Sequence, residues 1–220
     1  MPTAVGIAGS PRRKGNSTAL LHAVLDGVAA AGATTEVIHL NDLSFRGCQG
    51  CDRCAPAGCC TVDDALTPVL RALSLGDIWV LASPVYFDGV SGQMKTFFDR
   101  LHWLTIEEGK LKPRLRGSRC AAVILTYEDR PRDDYRKLAE TLGSYLGWMG
   151  DFSAVRVMSE GDLGPSDAAS KRADLLASAE ELGRTMVEEL KRVLAGADVP
   201  HGGKHDGRRV VEDVEEPEAE

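Results

Sequence analysis

The stretch Ala4-Val5-Gly6-Ile7-Ala8-Gly9-Ser10-Pro11-Arg12-Arg13-Lys14-Gly15-Asn16-Ser17-Thr18 decides how the rest of the chain is read. Its first five residues form a short apolar run of strand type. Behind it, Leu20, Ala23, Val24, Gly27 and Val28 recur on one face at helical spacing. The loop between them carries small residues, hydroxyls and positive charge. Strand, loop and helix in that order make a place for a bound phosphate. Glycine lets the backbone come close. The free N–H groups and the dipole of the helix start both favour an anion. The hydroxyls of Ser10, Ser17 and Thr18 and the amide of Asn16 supply further donors. No Gly-Lys-Ser/Thr closes the loop, and the Gly-x-Gly-x-x-Gly fingerprint is absent. Taken alone, the loop also reads as an ordinary strand-to-helix turn capped by Asn16 or Ser17.

Outward from this stretch, strands and helices alternate. The first strand is expected over Thr3–Ala8 and the first helix over Asn16–Ala31, closed by Gly32 as a C′ glycine. A β-branched run predicts a strand at Thr34–Leu40. After a cysteine-rich loop, Ser44–Thr61, Asp63 or Asp64 caps a helix carrying Leu66, Val69, Leu70 and Leu73, with Pro68 in its first turn. Asp77–Ala82 is nearly all apolar and reads as a strand buried on both faces, the mark of a parallel sheet. It ends in Ser83-Pro84-Val85-Tyr86-Phe87-Asp88-Gly89. A helix follows with Met94, Phe97, Phe98, Leu101 and Leu104 in phase. Thr105–Ser118 reads as loop, Cys120–Thr126 as strand, Asp133–Met149 as helix, Ser153–Met158 as strand and Asp167–Leu194 as a long final helix. Five strands alternating with helices predict an α/β fold, a three-layer flavodoxin-like sandwich with a five-stranded parallel sheet ordered 2-1-3-4-5. In such sheets ligands sit outside the carboxyl ends of the strands, where the strand order reverses. That brings Gly9–Ser17 and Ser83–Gly89 together.

Composition narrows the class. The 220 residues suit one domain, expected over 1–195. The net charge of −7 is mostly a property of the end of the chain. From Gly196 onward, eight acidic residues face three basic ones, and this segment is expected to be a disordered tail whose His201 and His205 are solvated. Dispersed cations and few aromatics speak against nucleic acid. No apolar run reaches the roughly 18 residues of a membrane span, and no secretory leader pattern precedes the first strand, so a cytoplasmic protein away from membranes is expected.

Cys48-x2-Cys51-x2-Cys54-x4-Cys59-Cys60 gathers five of the six cysteines within thirteen residues. In a reducing compartment such clustering points to metal or redox chemistry rather than disulfides. Three thiolates at two-residue intervals with a fourth nearby can wrap a 4Fe–4S cluster, as in bacterial ferredoxins. Four thiolates also suit zinc. Cluster, zinc and no metal all stay open, and Cys59 and Cys60 both satisfy the spacing of a fourth ligand. Cys120, inside a strand, reads as a small buried apolar residue.

Three motifs together resemble a known family. Gly-Ser-Pro-Arg-x-x-Gly-Asn-Ser at 9–17, Ser-Pro-Val-Tyr-Phe at 83–87 with Gly89, and Met94-Lys95-x-Phe97-x-Asp99-Arg100 look like the NAD(P)H-dependent FMN reductases, and the cysteine loop resembles their iron–sulfur flavoprotein branch. The resemblance implies non-covalent FMN. Ser10, Arg12, Asn16, Ser17 and Thr18 would hold the phosphate. Pro84, Val85, Tyr86 and Phe87 would lie along the isoalloxazine, with Gly89 allowing close approach. It implies NADH or NADPH as transient hydride donor and a second acceptor: a quinone, a flavin, a small organic substrate or a redox protein. It also implies a homodimer or homotetramer. Read as an iron–sulfur flavoprotein, the chain could instead be an electron carrier serving a ferredoxin-like partner without NAD(P)H turnover of its own. No side chain is singled out as a catalytic acid or base.

Overall fold

The structure, a computed structural model, describes residues 1–196 and the backbone of two short strands, Lys204–His205 and Arg208–Arg209. The expected acidic tail beyond them, with His201 and the His205 side chain, lies outside the described residues.

Five parallel strands form the central sheet: β1 (Thr3–Ala8), β2 (Thr34–His39), β3 (Ile78–Tyr86), β4 (Ser118–Thr126) and β5 (Asp151–Glu160). Their order is β2-β1-β3-β4-β5, the flavodoxin-like order expected from the alternation of elements. One register row runs Gly6, Val80, Ala122, Arg156 across β1, β3, β4 and β5. Because side chains alternate along a strand, each face buries its own set. Ile78, Val80 and Ala82 pack with α1 (Asn16–Ala30) and the final helix. Trp79 and Leu81 pack on the opposite face with α2 (Thr67–Leu75) and α3 (Gly92–Arg100). α4 (Arg136–Leu146) covers Val123, Leu125 and Val157, and α5 (Ala173–Leu194) lies beside α1. The result is helix, sheet, helix.

The α1–α5 contact depends on two glycines. A Cβ on Gly27 would fall 1.9 Å from the Glu180 carbonyl oxygen, and one on Gly183 would fall 2.0 Å from that of Val24. Only bare backbone lets the two helices approach this closely.

Several boundaries differ from expectation for identifiable reasons. β3 runs on through Ser83, Pro84 and Val85 instead of ending at Ala82. β1 stops pairing at Ala82, so β3 is an edge strand beyond it, where proline is tolerated. Asp64 does not cap α2 at its N-terminus; it precedes the helix, accepts the Leu66 N–H and spends its carboxylate on Arg100. The expected loop 105–118 contains a small hairpin, Ile106–Glu107 with Lys110–Leu111, turned by Glu108 and Gly109 at positive φ. α4 begins at Arg136, and α5 begins at Ala173 after a 3₁₀ turn at Ala169–Lys171. Among the described residues, no helix is long and apolar enough to cross a membrane.

Candidate active site: a cleft at the carboxyl ends of the strands

The C-terminal ends of β1, β3 and β4 open onto a cleft of about 870 Å³. Its floor is the loop between β1 and α1. There Ser10 is buried and its Oγ accepts the Arg12 N–H at 3.1 Å. Gly15, not Asn16 or Ser17, stands at the N-cap, and no side chain caps the helix. The first-turn N–H groups of α1 therefore face the cleft without an intrahelical acceptor. Ser10, Arg12, Asn16 and Ser17 all line the cleft.

Two members of the phosphate set have their polar groups engaged within the chain. The Asn16 amide donates to the Leu163 and Pro165 carbonyls, each at 2.9 Å, and its Oδ1 accepts the Ala169 N–H at 2.9 Å. Thr18 is buried, lies off the cleft lining, and donates to the Arg12 carbonyl at 3.1 Å. Asn16 thus pins the segment after β5 against the loop, and Thr18 folds the loop onto its own helix.

The opposite wall is the end of β3. Val85 and Tyr86 pair antiparallel with Val90 and Gly89, closing a two-residue hairpin at Phe87 and Asp88. Both turn residues have positive φ, 49° and 57°. This is the I′ geometry that normally selects Asn-Gly. A bulky phenylalanine held there is backbone strain. The ring of Phe87 is fully exposed and Tyr86 is 45% exposed. With Pro84 and Val85 they line the cleft, whereas Gly89 does not; a Cβ on Gly89 would meet nothing closer than 3.7 Å.

A buried hydroxyl chain ties the two walls together. Ser83 Oγ accepts the Ser91 N–H at 3.0 Å, and Ser91 Oγ donates to the Gly9 carbonyl at 2.6 Å. Ser91 also caps α3 by accepting the Met94 N–H. Gly9 has no room for a side chain, because a Cβ would sit 2.9 Å from that of Met94.

The third wall carried no role in the sequence reading. It comprises Tyr127–Arg130 after β4, Tyr135, and Leu163, Gly164 and Ser166 after β5. Tyr127 and Tyr135 stack edge to face at 4.8 Å, and Arg130 lies over the Tyr135 ring. The Tyr135 hydroxyl donates to the Asp88 carboxylate across the cleft mouth. Thr126-Tyr127-Glu128 had the right strand end as a signal. The segment after β5 had none, since Asn16 reaches it across 147 residues of sequence.

A second, smaller cavity of about 60 Å³ lies under the cysteine loop. Cys48, Cys51, Cys54 and Cys60 line it, and Cys59 is exposed and off its lining. All six cysteines are free thiols. Among the described residues, no three Cys, His, Asp or Glu side chains stand in metal-binding geometry. Burial pushes the Cys54 thiol up, and the nearby Cys60, Cys48 and Cys51 add to the effect. The neighbouring Arg53 backbone and side chain hold the Cys51 thiol down. Behind the loop stands Arg100, whose side chain is fully buried. It donates to Cys60 Sγ at 3.2 Å, to the Arg46 and Val62 carbonyls and to both Asp64 oxygens. Burial pushes the Asp64 carboxyl up, but Arg100 and the N–H groups of Arg46 and Leu66 outweigh it and hold it below the usual range.

Comparison with known proteins identifies the family. An iron–sulfur flavoprotein of Methanocaldococcus jannaschii is 41% identical over 102 residues, 46% of this chain and 53% of that protein. One from Archaeoglobus fulgidus is 40% identical over 122 residues, 56% of this chain and 53% of that protein. The chain thus spans about half the length of the curated relatives it matches. The solved NAD(P)H:quinone oxidoreductase of Methanothermobacter marburgensis shares the fold, with a TM-score of 0.60 at 21% identity over 84% of this chain and 96% of that one. The family described as NADPH-dependent FMN reductase matches residues 2–127, more than half of the chain, and to that family this protein belongs.

Proposed function

We propose that the protein is an FMN-dependent NAD(P)H oxidoreductase. The observation that carries this reading is the cleft itself, where an uncapped helix start faces an exposed aromatic hairpin. The residues present fit the group. A cavity of this size matches ligand sites of about 300–1,000 Å³. The Ser10 and Ser17 hydroxyls, the first-turn N–H groups of α1 and the Arg12 cation would hold the phosphate. Pro84 to Phe87 on one side and Tyr127 to Arg130 on the other would flank the ring, and the exposed Phe87 would shield it from water. Bound FMN supplies hydride acceptance and electron transfer; orientation and electrostatics are the protein's part. The Asp88–Tyr135 bond holds the hairpin to the opposite wall, and the Ser83–Ser91–Gly9 chain fixes the distance between the walls. Asn16 and Thr18 then act by shaping the site rather than by touching the phosphate. NADH or NADPH is the transient donor, and a quinone, flavin or other small organic molecule is the acceptor. The working unit is residues 1–195, assembled as a homodimer or homotetramer in the cytoplasm.

The cysteine spacing and the iron–sulfur flavoproteins the chain resembles support a second component, although the thiols do not stand in metal-binding geometry in this structure. Cys48, Cys51, Cys54 and Cys60 would hold a 4Fe–4S cluster, with the Arg100 N–H directed at the Cys60 sulfur and Cys59 left as a spare thiol. A cluster supplies one-electron transfer, and with it the chain suits exchange with a ferredoxin-like partner.

The test is anaerobic purification followed by flavin, iron and sulfide analysis, then NADH and NADPH oxidation with a quinone. One FMN per chain and quinone-dependent oxidation support the oxidoreductase. Failure to bind added FMN overturns it. About four irons per chain support the cluster, and Cys60→Ser should lose that iron while Cys59→Ser keeps it. The reverse pattern reassigns the fourth ligand.

A further inference from the structure

Away from the flavin cleft, a cavity of about 400 Å³ lies between the N-terminal edge of the sheet and the cysteine loop, lined by Ser74, Trp103, Glu107, Arg114, Arg116 and Arg119 among others. Arg119 is only 7% exposed. Its guanidinium donates to the carbonyls of Ser74, Gly76, Arg116 and Gly117 at 2.6–3.1 Å. All four acceptors are neutral. A cation taken out of water ordinarily finds an anion. Burial accordingly pulls the Arg119 pKa down, with Asp77 alone opposing it.

The other groups add to the imbalance. Among the described residues, the Arg116 side chain makes no hydrogen bond, and Arg114 comes no closer than 3.9 Å to the Glu107 carboxylate. That carboxylate is already engaged by Lys112. Three guanidiniums thus line the cavity with one carboxylate, Glu107, which Lys112 already engages, on a chain whose net charge is −7. Trp103 Nε1 is buried without an acceptor.

We propose that this cavity binds a small dianionic oxyanion of the phosphate or sulfate class. Such an ion supplies the missing countercharge, and its tetrahedral oxygens accept from several guanidinium donors at once. The site is separate from the flavin cleft. Arg119 and Thr126 lie near opposite ends of β4, roughly 23 Å apart at the rise of an extended strand. It adjoins the cysteine loop instead. Arg114 also donates to the Ala55 carbonyl, and Trp103 lines both cavities.

Calorimetric titration of the full chain, in excess FMN, with sodium phosphate at constant ionic strength in chloride tests this. Saturable binding at one site, competed by sulfate, is expected. Arg116→Ala should weaken it at least tenfold. Arg116 makes no internal hydrogen bond, so this variant is expected to fold. Arg12→Ala, in the other anion-attracting loop, should leave phosphate binding unchanged. Absence of saturable binding, equal affinity in Arg116→Ala, or loss in Arg12→Ala alone would overturn the assignment.

Discussion

Replacing Arg100 by methionine keeps the aliphatic stem and removes the guanidinium. Its N–H groups make five contacts: 2.7 and 3.3 Å to the Asp64 oxygens, 2.8 Å to the Arg46 carbonyl, 3.0 Å to that of Val62 and 3.2 Å to Cys60 Sγ. None is repaid by water, because the side chain is wholly buried. Two carbonyls lose a donor, and a carboxylate with 11% exposure loses its countercharge while keeping the Arg46 and Leu66 N–H groups. Breaking a buried ion pair by deleting one member costs about 3–5 kcal/mol. At roughly 2–4 °C per kcal/mol for a domain of this size, Tm should fall on the order of 10 °C. Urea unfolding of wild type, Arg100→Met, Asp64→Ala and the double variant measures it. The double variant should cost less than the two singles together by about 0.5–3 kcal/mol, the range for residues sharing one network.

The pH dependence gives an independent check. The folded Asp64 pKa is depressed, so its contribution is present above the unfolded carboxyl value and is lost as pH falls through the folded one. The stability gap between wild type and Arg100→Met should therefore be full at neutral pH and close in acid. A cost for Arg100→Met below about 1 kcal/mol, the scale of an exposed pair, or strict additivity with Asp64→Ala would refute the claim that this pair anchors the cysteine loop.

Four further outcomes follow from the same structure. Gly27→Ala or Gly183→Ala must part α1 from α5, since the new Cβ would overlap backbone at 1.9–2.0 Å, and urea unfolding should show at least the 1–3 kcal/mol or so of an overpacked core. Phe87→Gly removes the cost of holding phenylalanine at φ 49°, so it should stabilise the chain by roughly 1 kcal/mol while weakening FMN binding; calorimetry and fluorescence titration read the two effects separately. Asn16→Ala frees the segment after β5 by deleting three hydrogen bonds and should weaken FMN about tenfold, equivalent to roughly 1.4 kcal/mol, with little change in the fold by circular dichroism. Burial pushes the Cys120 thiol from 9.0 to about 11; a raised folded pKa means its contribution is intact below the unfolded value and lost as pH climbs towards 11. Cys120→Val should flatten that alkaline slope.

What the sequence shows of this fold is what local chemistry controls. Ile78 to Ala82 are apolar at consecutive positions because both faces of β3 are covered, and that run alone marks the parallel sheet. The loop after β1 is readable because glycines, hydroxyls and a helix start lie side by side. Boundaries fail where tertiary pairing overrides a local rule. Pro84 looks like a terminator, yet β3 continues because its neighbour on one side has ended. The cleft's third wall was hidden for a different reason. Tyr127, Arg130 and Leu163 have no shared period or spacing; they meet because β4 and β5 end at the same level and Asn16 reaches across to hold the second loop.

The same distinction explains which cysteine stands apart. Spacing treats Cys59 and Cys60 alike, since either completes a plausible ligand run. Their difference arises from Arg100, forty residues away from Cys60 in the chain. Arginine at the end of an amphipathic helix reads as a solvated charge that complements the dipole. Here it is turned inward, and Asp64 supplies the countercharge that makes its burial tolerable. A guanidinium placed this way directs one N–H at one sulfur, so under the proposed cluster assignment a long-range ion pair favours Cys60 over Cys59. Removing Arg100 should therefore reduce the preference for Cys60 as well as the stability of the loop: in the Arg100→Met background, iron retention by Cys60→Ser should approach that of Cys59→Ser. If Cys60→Ser still loses all iron there while Cys59→Ser keeps it, the backbone of the loop makes the choice and Arg100 only supports it.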